Sequence, residues 1–262
     1  MSTFPAPTNG QPDEQPRDAA YSRDAAYWSR QITGLTVSNV PSGALNLNVE
    51  GKLVNGPLQG FGRMWQKTYR VTLTGTSLNA RDIIKTWKER FPEFWPKGNR
   101  FFGPLTGIAP GEVALLNLTL TGGIRLSTGV LVLYADEESF TLMTPQGHVF
   151  AGWITFSALE ENDTIIVQAQ VLMRSSDPMY ELGFRLGMYR EEDKFWQHTL
   201  KSLVASFGLD VPVEMEAILV DPRVQWSYAK NIWHNAAMRT TIYIMTTPLR
   251  WITGRGRKRT KK

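Results

Sequence analysis

The sequence predicts an α+β fold in which an antiparallel sheet is followed by one long helix. Two observations carry that reading. Five β-like segments crowd between residues 112 and 173: "EVALLNLTL", "GVLVLYA", "SFTLM", "VFAGWITFSA" and "TIIVQAQVLM". Their links are turn-like ("TGG", "DEE", "TPQGH" and "EEND"), and short links join antiparallel neighbours. Beyond them, Phe195, Leu200, Leu203, Val204 and Phe207 recur at helical spacing until Gly208, a natural helix stop.

The elements follow in chain order. Residues 1–24, rich in Pro, Gln, Asp and small side chains, predict a disordered tail, and the echo "RDAAY" at 17–21 and 23–27 is too short for a repeat family. Residues 25–253 form the expected single domain, with a core at 63–207 and flanking segments. From 31 to 62 the chain is broken by Gly, Asn and Pro, and only "ALNLNVEG" alternates well enough for a short strand. "RMWQKTYRVTLTG" sets Trp65, Lys67, Tyr69, Val71 and Leu73 against mainly polar neighbours, the period of a strand. "TSLNARDIIKTWKERFP" starts a helix at Ser77 or Asn79, places Ile83, Ile84, Trp87 and Phe91 on one side, and ends at Pro92. After the sheet, Asp177 caps a helix beginning at Pro178, and Gly183 and Gly187 mark where it kinks or splits. Capping and an i,i+4 pair between Glu181 and Arg185 account for the polar cluster Arg174, Asp177, Tyr180 and Glu181. A strand-like "VEMEAILV" and a Trp-rich helical segment, Val224 to Met245, close the order.

In "TIIVQAQVLM" the apolar alternates Ile165, Val167, Ala169, Val171 and Met173 form the inward face. In "VFAGWITFSA" either face could be inward. The order strand, helix, short helix, five antiparallel strands, long helix over residues 63–207 resembles the START-like (SRPBCC) helix-grip superfamily of polyketide cyclases, lipid-transfer START domains and plant pathogenesis-related ligand binders. That resemblance rests on element order and covers somewhat over half of the chain. It implies an antiparallel curved sheet wrapped around a long C-terminal helix (helix-grip), with extra N- and C-terminal segments. "GHVFAGWITFSALEENDTIIVQAQVLMRSSDPMYELGFRL" also resembles the bacterial uncharacterised DUF1990-type proteins of that superfamily.

A curved sheet and one helix do not close perfectly on each other, so the resemblance implies a cavity between them. The lining candidates are Ile165, Val167, Ala169, Val171, Met173 and His148, with small Ala169 leaving room. The implied partner is a hydrophobic small molecule or lipid, bound without catalysis. A cyclase or hydratase using the same cavity, and an interaction protein with a filled core, are the alternatives.

His148 is one of three histidines, and it sits in "TPQGH" between two apolar runs. Pro145 presets one backbone angle and Gly147 accepts a positive one, so this polar knot reads as a hairpin turn. His148 is then the first residue of the next strand, exposed or at the cavity rim. His198 reads as solvent-facing and His234 as core or interface.

Composition removes several chemistries. With no cysteine in 262 residues, thiolate catalysis, disulfides and Cys-based metal centres are excluded. Neither GxSxG nor HExxH occurs, "GFG" and "LTGG" lack the context of a phosphate loop, and no cofactor is implied. The net charge of +5 is local: Arg255, Arg257, Lys258, Arg259, Lys261 and Lys262 lie in the basic tail 254–262, and removing these six from 29 leaves 23 Lys and Arg against 24 acids. A nearly neutral body argues against nucleic acid. The six cations follow an aromatic-rich segment; they read as a solvated tail, with peripheral contact with an anionic membrane as the alternative. The start of the sequence lacks a signal-peptide pattern and no apolar run is long enough to span a bilayer, so the expected location is cytoplasmic or peripheral at the membrane.

Overall fold

The computed structural model describes residues 25–252; the expected tails at 1–24 and 254–262 lie outside the described residues. Strand β1 (Met64–Thr74) is followed by helix α1 (Ala80–Glu89), whose cap is Asn79, accepting the Asp82 N–H. A 3-10 turn at Phe91–Phe94 leads to β2 (Arg100–Phe102), a short strand the Gly/Pro-rich link did not signal. Then come β3 (Val113–Thr119), β4 (Arg125–Ala135), β5 (Ser139–Met143), β6 (Phe150–Glu161) and β7 (Thr164–Ser175). Helix α2 (Pro178–Gly183) passes through a π turn at Phe184–Met188 into α3 (Tyr189–Ala205). Gly187, at φ 122°, splits the two where the glycine pair is predicted to weaken the helix. Strand β8 (Glu214–Asp221), 3-10 turns at Trp226–His234 and α4 (Ala236–Ile252) complete the chain.

The eight strands form one curved sheet in the order β2-β3-β4-β5-β6-β7-β1-β8, every neighbour antiparallel. Its register is set by local chemistry. The β6–β7 hairpin turns on Asn162 and Asp163, at φ 47° and 61°, the left-handed pair of a tight two-residue turn. From there Glu161 pairs with Thr164, Phe156 with Ala169 and Gly152 with Met173. The alternates Ile165, Val167, Ala169, Val171 and Met173 are all buried, so the inward face of β7 is the one its sequence indicates. On β6 the ambiguity resolves in favour of Gly152, Ile154 and Phe156, which share that face.

The inner face packs against α1 and α3. Ile83, Ile84 and Trp87 from α1 and Leu200, Leu203 and Val204 from α3 join one core with Val71, Leu73, Ile165 and Val167. This is the helix-grip arrangement, with the flanking segments built onto it. Strand β8 extends the sheet beyond β1, and Leu35 and Val49 pack on the other face against Leu115 and Leu131. The expected strand "ALNLNVEG" does not form. Asn46 accepts the Glu50 N–H at 3.1 Å, and buried Asn48 donates to the Ser127 carbonyl at 2.8 Å. These side-chain bonds hold the backbone in a bent path that a ladder cannot use.

Candidate cavity between the sheet and the long helix

Strands β6 and β7 hold 12 residues each, which at about 3.3 Å per residue is about 40 Å, whereas the 17-residue α3 covers only about 25 Å. The helix therefore cannot seal the whole inner face. One end is filled by rings: Trp87, Phe91, Phe140 and Phe156 contact one another with centroids 4.6–6.0 Å apart. At the other end a cavity of about 640 Å³ opens between Leu116, Val130, Leu142, Ile154, Phe195 and Trp196. Gly152 contributes backbone alone to this wall. The mouth carries Glu191, Lys194 and His198 on α3, facing the loops at 97–99 and 119–121.

The six lining candidates divide along the strand. Val171, Met173 and His148 are on the cavity wall. Ile165, Val167 and Ala169 are not; they are packed into the filled end. The room expected beside Ala169 is taken by its cross-strand partners, Tyr69 on β1 and Phe156 on β6, with Trp196 against the Phe156 ring at 5.5 Å. Ala169 is small because two large neighbours flank it.

His148 departs from the exposed or rim position expected of a turn residue: it is 6% exposed. The turn itself is as expected, with the His148 N–H donating to the Pro145 carbonyl at 3.1 Å and Gly147 at φ 90°. What buries it comes from elsewhere in the chain. The Ala236 N–H donates to the Gly147 carbonyl, the Gln146 N–H to that of Leu53, and the turn before α4 lies directly on the hairpin. The ring Nδ1 accepts the Phe150 N–H at 3.1 Å. Burial pushes the imidazole down to about 4, so the ring is neutral near pH 7.

A second polar group on the wall escaped sequence reasoning. Lys67 Nζ, 3% exposed, donates to Glu192 at 2.5 Å and to Asp193 at 2.6 Å, and the Tyr69 hydroxyl donates to Asp193 at 2.7 Å. Two carboxylates, buried Glu192 and partly exposed Asp193, share one buried ammonium, and Glu192 lines the cavity. Desolvation outweighs the pull of Lys67 and raises Glu192 to about 7; the same burial and the two carboxylates push the Tyr69 hydroxyl far above its ordinary value. The signal was present in the sequence. Lys67 occupies an inward alternate of β1, and Glu192 lies one turn before Trp196 on α3, but nothing local places them opposite each other.

The cluster around Asp177 has an architectural part. Asp177 accepts the Met179 and Tyr180 N–H groups at 2.8 and 3.1 Å and Asn235 Nδ2 at 2.8 Å, tying α2 to the start of α4. Glu181 pairs with Arg185 at 3.1 Å. Arg174 is buried and joins three segments, donating to Asp221 at 2.6 Å and to the Gly62 and Arg223 carbonyls at 2.6 and 2.8 Å. Of the other histidines, His198 is exposed at the cavity mouth and His234 is half-buried. Among the described residues no three His, Asp or Glu side chains group as metal ligands would.

No family model matches the chain, the DUF1990 type included, and no curated protein matches it. Among solved structures it is similar to the di-domain ARO/CYC StfQ of the steffimycin biosynthetic pathway, at 11% identity and a TM-score of 0.43, over 56% of this chain and 53% of that one. The chain thus spans about half the length of that protein. It is also similar to a START superfamily protein from Mycobacterium smegmatis, at 22% identity and a TM-score of 0.37, over 55% of this chain and 97% of that one. Major latex-like protein 151 from Panax ginseng matches at 17% identity and a TM-score of 0.30, over 49% and 97% of the two chains.

Proposed function

We propose that the protein binds a hydrophobic small molecule or lipid in the cavity between the sheet and α3, without transforming it. The observation that carries this reading is the cavity: about 640 Å³, walled by aliphatic and aromatic side chains, with only a few polar groups turned to it. That is the size and chemistry of ligand pockets, which run to about 300–1,000 Å³ with apolar walls and a small number of placed polar groups. The same void stands against an interaction protein with a filled core. Native mass spectrometry of protein purified without detergent tests the proposal. A bound mass that survives gentle ionisation and leaves on denaturation is expected; a ligand-free protein that also fails to take up an apolar dye sinks it. A cyclase or hydratase in this cavity would use Glu192 as its proton-transfer group. Recovery of the bound compound in altered form after incubation would replace the binding reading with that one.

A specific feature of α4 favours a second component, peripheral contact with an anionic membrane. The helix is turned inside out. Its buried side holds Ala236, Ala237 and Thr240, whereas Met238, Ile242, Ile244 and Met245 are exposed, beside exposed Trp233. No helix among the described residues is long and apolar enough to cross a membrane. An outward apolar face leading into six cations suits lipid binding, at roughly 1 kcal/mol per charge near an anionic surface. Co-sedimentation with phosphatidylserine vesicles tests it. Binding should fall when residues 254–262 are removed and fall further with Ile242→Asp and Met245→Asp; equal binding by all three proteins removes the membrane from the account.

A further inference from the structure

Two residues on the wall of the cavity carry donors for which the protein supplies no partner: the Trp95 indole N–H, which is sealed in the packed interior, and the ring of His148, which is not. His148 Nδ1 accepts the Phe150 N–H at 3.1 Å, so that nitrogen presents its lone pair. The ring is neutral, as its burial requires. A neutral imidazole that accepts through Nδ1 carries its proton on Nε2. Among the described residues no acceptor lies within hydrogen-bond reach of Nε2, nor is that atom sealed in the packed interior. The ring is 6% exposed and forms part of the cavity wall. The donor therefore opens onto the cavity.

Its setting is rigid. Gly147 is held by the Ala236 N–H and Gln146 donates to Leu53, so the hairpin is fixed from both terminal segments. Around the ring the wall is apolar: Val149, Met173 and the stacked Phe150 and Phe184, with centroids 4.8 Å apart. The remaining buried charge on the wall belongs to Glu192, which with Asp193 shares a single ammonium, that of Lys67. Of that pair only Glu192 faces the cavity, and its charge is already met by Lys67, so the wall offers an anionic ligand no free buried cation and a cationic centre would be repelled by the Nε2–H.

We propose that the Nε2–H of His148 is the polar anchor of the cavity, and that its ligands are neutral apolar molecules carrying a hydrogen-bond acceptor, such as a ketone, ester or ether oxygen, at the end lying against the β5–β6 hairpin. This rests on the cavity being a ligand site, and it adds which class of molecule the site selects and which atom selects it. An oxygen lost from the ligand leaves the donor buried and unpaired, so the site discriminates against the plain hydrocarbon of the same shape.

Two fluorescent probes separate the parts of this inference: propionyl-dimethylaminonaphthalene and its propyl counterpart, which differ in the ketone oxygen. The full-length protein should bind the ketone about three- to tenfold more tightly than the propyl compound, the range for one neutral hydrogen bond. His148→Asn should abolish the preference, the ketone and the propyl compound then binding alike, because the shorter amide can still accept the Phe150 N–H but supplies no donor at the Nε2 position. Nitrogen NMR of the histidine rings in the unmodified protein gives a reading independent of any variant: the Nε2-protonated tautomer is expected, with the Nε2 resonance moving when the ketone is added. Equal binding of the two probes by the wild-type protein, a preference that survives His148→Asn, or an Nδ1-protonated ring would each overturn the anchor and leave the cavity reading standing. Failure of the wild-type protein to bind either probe would remove both.

Discussion

Glu192→Gln should change how stability depends on pH, and the change can be worked out from two buried groups with opposite signs. Glu192 is raised from 4.5 to about 7, so between those values the folded protein holds a proton that the unfolded chain releases. Stability is therefore lost as pH climbs through that window. His148 is lowered from 6.5 to about 4, so between those values the unfolded chain holds a proton that the folded protein refuses. Stability is therefore gained as pH climbs. At about 1.4 kcal/mol per pH unit, each amounts to about 3 kcal/mol. The windows overlap, so the wild-type protein should show a nearly flat profile across the overlap. Glu192→Gln removes the falling arm, and Asp193 remains to pair with Lys67 at 2.6 Å, so the fold is retained. The variant should then gain on the wild type by about 3 kcal/mol between the two Glu192 values. Other carboxylates with shifted affinities, such as buried Asp177, contribute equally to both proteins and cancel in the difference. The assay is urea unfolding of both proteins across acid to neutral pH. Parallel curves would show that the proton is not held at Glu192. His148→Asn should do the reverse and expose the falling arm alone.

Four further substitutions address the packing. Gly147→Ala should lower the melting temperature more than His148→Asn does: its φ is 90°, and an added Cβ would come within 2.0 Å of the His234 carbonyl oxygen, so a left-handed penalty of about 1–2 kcal/mol is joined by displacement of the turn before α4. Ala169→Trp should destabilise by about 1–3 kcal/mol or more, because its space is already filled, whereas Val171→Trp should fill the cavity and block dye uptake in a protein that still unfolds cooperatively. If Ala169→Trp instead folds normally and blocks the dye, the filled and open ends have been assigned the wrong way round. Arg174→Met should cost about 1–3 kcal/mol in chemical denaturation, since it leaves the Gly62 and Arg223 carbonyls without their donor while Asp221 keeps Arg223 at 3.0 Å; no measurable loss would show that these segments are held by other contacts.

How far each of these features could be read in advance follows from the reach of the interaction that creates it. The β6–β7 hairpin was legible because alternation and a two-residue turn are local: Asn162 and Asp163 set the register, and the inward face of β7 follows residue by residue. The division of that face into a filled half and an open half was not, since it is decided by Tyr69, Phe156 and Trp196, none of which the β7 sequence can announce. His148 shows the same limit more sharply. Its turn is written in Pro145 and Gly147, but its burial comes from the Ala236 N–H and the Leu53 carbonyl, far away on either side in the chain. The Lys67–Glu192 pair spans 125 residues, and both halves were visible as polar residues on apolar stripes. An inward lysine on a strand requires a buried counter-charge, because an unpaired ammonium in the core costs several kcal/mol. That requirement, applied to α3, selects the acids on its inward side, and Glu192 is the one that also faces the cavity. The polar chemistry of the site was thus constrained by the sequence at both ends, and what was missing was the curvature of the sheet that brings those ends together.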